Sequence, residues 1–585
     1  MSLFLTKSIK TMKTISFLFF IFTLLIACRN KNADTSRTDV LATNKMTMCR
    51  AKTTDIDWYK SDKKAPLFEG LSGIDFPITT ANKEAEKYFK QGLMLAYGFN
   101  HAEAARSFYQ AIKLDSTCAI CHWGYAYVLG PNYNGGMEND NYQRAYTASK
   151  KALQFVNNCT EKEKALIQAL SARYEATPPE SRTHLDSAYA VAMKKVYQQF
   201  PDDKDISALY VESVMDCHPW DLWAKDGLPK AWTTEILSIL EGILAKHPNH
   251  AGANHFYIHA VEASLTPERG NKSAEKLATL VPAGGHLVHM PSHIYIRTGD
   301  YHNGTLANLK AVEVDSHYFT ACHAQGVYPL AYFPHNYHFI AATATLEGNS
   351  KNALLGAEKV AEHTDKEVMK NPDWATLQHY FTIPYHIAIK FGLWDKILRL
   401  KIPEDTALVY PRAVHFYAQG MAHLGKGEIS EAKEALKSLK NLSKDDRLKK
   451  LTIWNINSVS DLLDIAQKVL EGEILDSEKK YKESINLLNQ AIDIENRLNY
   501  NEPPDWFFSV RHHLGAVLLN AKQYAKAEEV YREDLKTYRK NGWALKGLAE
   551  ALKAQNKLPE ADKIQAEFEA AWQWADVHIN TSRIK

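Results

Sequence analysis

The stretch GGHLVHMPSHIYIRTGDY, residues 284–301, carries His286, His289 and His293 at spacings of three and four. On a helix such spacing sets the three imidazoles in one stripe. In a segment just upstream, His255 and His259 stand four apart, with Glu262 three residues further on. Neutral imidazole is a common ligand of zinc, copper and iron, and two imidazoles with a carboxylate on one helix face make a chelating set. The order His-x3-His-x2-Glu is not the H-E-x-x-H of zinc peptidases. His335, His338, His379 and His386 lie in later segments of the same character and extend the candidate ligands. Two other chemistries compete for the same residues. Imidazoles can stiffen a groove through hydrogen bonds alone. They can also donate to an anion or a peptide and take up charge near neutral pH.

Which reading holds depends on the elements that carry the stripe. From residue 81 onward the pattern is helix after helix, with no sustained strand alternation. The run from Ala85 has Gly92, Ala104, Phe108 and Ala111 at positions 8, 20, 24 and 27 of a 34-residue unit. The unit from Ile465 has Gly472, Tyr481 and Ala491 at 8, 17 and 27. Counting from Phe508, Leu514, Gly515, Tyr524, Ala527 and Tyr531 stand at 7, 8, 17, 20 and 24. This signature resembles the tetratricopeptide repeat (TPR). The expected fold is therefore an all-α TPR superhelix, an α-solenoid with loop insertions. Further units are expected near 118, 204, 251, 285, 334, 378, 413 and 540. The physics is that small residues at 8 and 20 let paired helices approach, while neither helix buries its apolar face without the next unit.

Within units starting at Ala251, Gly285, Pro334 and Gln378, nine of the 24 histidines fall at positions 2, 5 and 9. Those positions share one face of the first helix. The resemblance implies that this face lines the concave groove where TPR proteins bind ligands. Pro291 and Pro384 both fall at position 7. Each either kinks its helix beside the following histidine or, for Pro291, starts a shorter one. Inserts at 130–141, 217–230 and 317–333 are long and aromatic, and are expected to be loops with a role of their own. Asp216 or His218 could reach the groove, although a turn with an Asp cap is the preferred expectation there, and the segment with His317, Cys322 and His323 could cover it.

The N-terminus is a targeting segment. Lys7, Lys10 and Lys13 precede TISFLFFIFTLLIAC, an apolar run short for a membrane span, and Met12 is an alternative start. Leu25-Ile26-Ala27-Cys28 resembles the lipobox of bacterial lipoproteins, which implies lipidation of Cys28; a plain secretory signal is the alternative. Cys118-Ala-Ile-Cys121-His122 matches the attachment pattern of c-type haem, but it sits inside a repeat helix, where a disulfide or packed thiols fit better. The surrounding stretch is similar to a group of long bacterial TPR proteins. With 70 basic against 68 acidic side chains, the chain offers no electrostatic case for nucleic acid.

The expected organisation is a signal peptide over 1–27, a tether over 28–80, a TPR-like array with the histidine groove over 81–410 and a C-terminal array over 411–580. The expected role is a lipid-anchored envelope protein, periplasmic or surface-exposed, that binds a protein or peptide partner. Its groove is expected to hold zinc, copper or iron through His255, His259, Glu262, His286, His289 and His293. The alternatives are a metal-dependent hydrolase or oxidoreductase, with Glu262 as base or extra ligand, and a c-type haem protein through Cys118, Cys121 and His122.

Overall fold

The computed structural model describes residues 54–71, 73–322 and 328–585. The signal peptide, Cys28, most of the tether, Cys49 and His323 lie outside the described residues. Among the described residues the chain is helical almost throughout, the one strand pair being Thr452–Ile453 against Asn457–Ser458. No helix there is long and apolar enough to cross a membrane.

Consecutive helices pair as hairpins, beginning with Lys83–Tyr97 on His101–Leu114 and ending with Gly542–Ala554 on Leu558–Ala571. Local chemistry sets their starts. Asn82 accepts from the backbone of Glu84 and Ala85, and Thr160 forms a reciprocal capping box with Glu163. Such caps contribute roughly 1 kcal/mol each. The repeat positions then explain the packing. A Cβ on Gly92 would stand 2.9 Å from the Phe108 ring, and one on Gly124 only 2.4 Å from it. Phe108 thus fills the space between the glycine of its own hairpin and that of the next helix. Tyr531 does the same between Gly515 and Gly547, where a Cβ would come within 2.3 and 2.2 Å. These contacts make the molecule a TPR-type helical solenoid.

Two hydrophobic clusters fill the array. One runs from Ala65 to Ile294, the other from Ile296 to Ile579. Their junction falls inside the helix Pro291–Thr298, which carries His293. The C-terminal hairpins also return to this region. The Trp543 indole donates to the Thr345 carbonyl at 2.9 Å, the Tyr301 hydroxyl donates to the Arg539 carbonyl at 2.7 Å, and Arg539 pairs with Glu268 at 3.0 Å.

Candidate metal centre

His255 and His259 project from the helix Ala251–Glu262, which His250 caps by accepting from the Ala253 N–H. The next stripe is split. Gly285–His289 forms a short helix, Met290 ends it, and Pro291 opens the helix Pro291–Thr298 as its first residue. Pro291 has no N–H to lose at that position, and the break leaves His289 and His293 facing each other. Pro384, by contrast, lies inside the continuous helix Ala375–Lys390.

Six imidazoles gather in two trios. Ring nitrogens of His255, His259 and His286 all lie within 4.8 Å of one another, and so do those of His289, His293 and His335. Apart from half-buried His335, none of these rings is more than 4% exposed. Ring centroids across the divide, His259 to His293 and His286 to His289, are 5.5 Å apart, within the 4.9–6.5 Å found inside the trios.

The hydrogen bonds behind the rings fix which nitrogen is free. His255 Nδ1 stands 2.6 Å from the Tyr97 carbonyl oxygen, which only accepts, so Nδ1 carries the proton. His259 Nδ1 donates to Glu262 Oε1 at 2.7 Å, and His293 Nδ1 to Glu262 Oε2 at 2.6 Å. Asn308 donates its amide to the Gly304 carbonyl, leaving Oδ1 to accept from His289 Nδ1 at 2.6 Å. The hydrogen bonds thus place a proton on Nδ1 of all four rings and leave Nε2 to meet a proton or a metal. The Nε2 atoms of His255, His259 and His286 find no hydrogen-bond partner among the described residues. Those of His289 and His293 face each other at 2.9 Å, close enough to share a proton or to take a metal ion between them.

Glu262 stands behind the imidazoles. It accepts from one ring of each trio and from the Tyr500 hydroxyl at 3.2 Å, while Arg297 donates to its carbonyl oxygen. Burial pulls its carboxyl upward, but the two hydrogen-bonded imidazoles overcome this and hold it well below the usual carboxylate range. Burial, reinforced by neighbouring rings, holds His255, His286, His289 and His335 well below ordinary histidine values. His259 is lowered by burial against the pull of Glu262. These rings stay neutral at physiological pH, the form that binds metals.

The chain closes its own groove. Phe99 packs on His255 at 4.5 Å between centroids, and Phe339 on His289 and His293 at 4.8 and 4.7 Å. From the insert at 130–141, Tyr133 lies 5.2 Å from His259. From the insert at 217–230 comes Trp220, 5.6 Å from the same ring, on a backbone with φ of 57° that bulky residues rarely adopt. What remains is a cavity of about 30 Å³ reached by His286, His293 and His335 and also lined by Asn134, Trp220, Tyr332, Trp454, Asn501 and Glu502. That is room for a few water molecules or one small ligand.

The other candidates fall elsewhere. His338 and His379 lie 5.7 Å apart between centroids; His338 stacks on Phe507, while His379 Nδ1 is 3.0 Å from the Tyr410 hydroxyl. His386 sits against Trp506. These three do not join either trio. Asp216 pairs with Arg173 at 2.8 Å and the His218 ring lies flat on Trp232, so neither enters the centre. Cys118 and Cys121 are buried free thiols, and burial pushes the Cys121 thiol up. His122 Nε2 stands 3.0 Å from the Ser116 carbonyl oxygen. Sequence reasoning missed Asn308, Tyr500, Asn501 and Glu502. A signal for the last three existed: the unit from Ile465 is complete at 498 and the next starts at Phe508, leaving 499–507 as another insert.

No family model matches the chain, and no curated protein matches it. Solved structures similar to it include the human IFIT1 dimer with m7Gppp-AAAA, at 11% identity and a TM-score of 0.29, covering 84% of this chain and 91% of that one. The APC/C hetero-tetramer Cut9–Hcn1 gives 13% identity and 0.29, covering 84% and 88%. The TPR domain of P58(IPK) gives 13% identity and 0.18, covering 58% and 89%. Likeness this loose carries no argument about function.

Proposed function

We propose that this chain is a lipid-anchored envelope protein whose TPR-type scaffold assembles a transition-metal centre from His255, His259, His286, His289, His293 and His335. The observation that supports this most directly is the gathering of six imidazoles into two trios, the ring nitrogens of each within 4.8 Å of one another. Nε2 of His255, His259 and His286 is buried without a partner among the described residues, and leaving such a group unpaired costs about 1–3 kcal/mol that a bound cation would relieve. Tetrahedral zinc with nitrogens at about 2.0–2.1 Å would space them roughly 3.3 Å apart. Glu262 and Asn308 act as the outer partners that hold metal-binding imidazoles in one tautomer and orientation. Glu262 is accordingly a positioning carboxylate in this reading, where the sequence suggested a ligand.

An all-imidazole donor set disfavours magnesium, calcium and manganese and suits copper or zinc. A protein or peptide partner would dock on the outer surface, because the chain's own inserts fill the groove. The test is elemental analysis of protein purified without a histidine tag or a metal column. Bound copper or zinc, lost in His289→Ala, is expected; metal-free protein that also fails to take up added metal overturns the reading.

A further inference from the structure

The two trios are adjacent, and the same small cavity touches both. His286 belongs to the first trio and His293 and His335 to the second, yet all three line the one volume of about 30 Å³. Glu262 is shared as well, through His259 of one trio and His293 of the other. Any species in that cavity meets whatever both trios hold. Each trio supplies three nitrogens, one short of a closed tetrahedral set, so each bound ion would keep a position for an outside ligand.

Resting on the metal reading above, we infer that the six histidines form one dinuclear copper centre that binds dioxygen between its two ions. The donor set points to copper because three neutral imidazoles, with no carboxylate among them, suit the low-coordinate cuprous ion. The carboxylates near the centre are Glu262 and Glu502, and the guanidinium is Arg297, which donates to the Glu262 backbone. Glu502 is buried, and its Oε2 has no hydrogen-bond partner among the described residues. Burial raises the Glu502 carboxyl to about 8, so near neutral pH it is a protonated, neutral wall group and the Glu262 carboxylate balances Arg297. The space has room for a few water-sized groups, enough for a two-atom ligand such as dioxygen at the bridge. The walls of Trp220, Tyr332 and Trp454 limit access of bulk water.

The step balances without another reductant. Each cuprous ion gives up one electron, dioxygen takes both and becomes peroxide held between two cupric ions. The oxygen–oxygen bond stays intact and no proton moves.

The experiment uses the mature full chain loaded anaerobically with cuprous ion and then exposed to air. Copper held by the free thiols is subtracted with the His255→Ala/His335→Ala double variant. The expected result is two coppers per chain, uptake of one dioxygen per two coppers, and an oxidised form silent in electron paramagnetic resonance, because bridged cupric ions couple. His255→Ala alone should hold one copper and give a full signal for it. Should that variant not fold, the wild-type signal and oxygen uptake decide by themselves. A wild-type signal integrating to both coppers, or no dioxygen uptake, overturns the inference and leaves two separate metal sites standing. No histidine-dependent copper or zinc at all overturns the metal reading itself.

Discussion

Glu262 is one carboxylate with two imidazoles to hold, and each of its oxygens already accepts from one of them. Glu262→Gln keeps the shape but can offer only one acceptor oxygen, so one of His259 and His293 loses its orientation. Metal affinity should fall by about 10–100-fold, the usual effect of removing such an outer partner, with the helical circular dichroism unchanged. Competition with a chelator of known affinity measures it. A fall no larger than that of an exposed control such as Glu313→Gln would show that the carboxylate does not orient the ligands. The same burial makes the metal-free protein acid-sensitive. Five of these imidazoles are held below ordinary histidine values in the fold. An unfolded chain takes up their protons below about pH 6.5, while the folded one does not. Stability is therefore full above that pH and declines as pH falls from about 6.5 toward the folded values. The slope is up to about 1.4 kcal/mol per pH unit for each ring. Melting temperatures of metal-free wild type between pH 8 and 5 should fall more steeply than those of His255→Gln/His286→Gln. Parallel curves would contradict the neutral, buried state.

At the scale of elements, the short helix Gly285–His289 is placed by what packs beneath it. A Cβ on Gly285 would lie 1.8 Å from Asp315 Oδ1. That carboxylate accepts from Tyr328 at 2.8 Å and from Asn336 at 2.9 Å, and the His286 N–H donates to the Tyr328 hydroxyl. Gly285→Ala should therefore cost about 1–3 kcal/mol in thermal unfolding and loosen the trio containing His286. An unchanged melting temperature would show that the helix adjusts freely. Much of this level was legible in the sequence. The small and large repeat positions named the hairpins, and the spacing of three and four named the stripe, but Tyr133 and Trp220 of the inserts were not singled out. What was not legible depends on contacts distant in sequence. Nothing in the spacing tells that Tyr97 and Asn308 select the tautomers of His255 and His289. Nor does it tell that the break before Pro291 sets His293 against His289, while His286 and His289 of one short helix fall in different trios. His338, His379 and His386 share the repeat position, but Trp506, Phe507 and Tyr410 cover them instead.

The molecule as a whole explains how a repeat fold known for open grooves can hold an enclosed centre. The hydrophobic core divides at the helix bearing His293, and the C-terminal hairpins fold back across it through Trp543, Arg539 and the Tyr500–Trp506 segment. Metal bound there joins both halves, so loading should raise the melting temperature of the entire unit by mass action. The proposed anchor is a separate matter, tested by Cys28→Ser: release from the membrane fraction is expected, and retention after a carbonate wash would mean another attachment. The central claim is that buried, pre-oriented imidazoles bind metal. Calorimetric titration of the metal-free chain with zinc and copper(II), repeated on His255→Ala and His335→Ala, tests it most directly. Tight uptake of two ions by wild type, reduced to one in either variant, is the predicted result; weak and equal binding by all three proteins would contradict it.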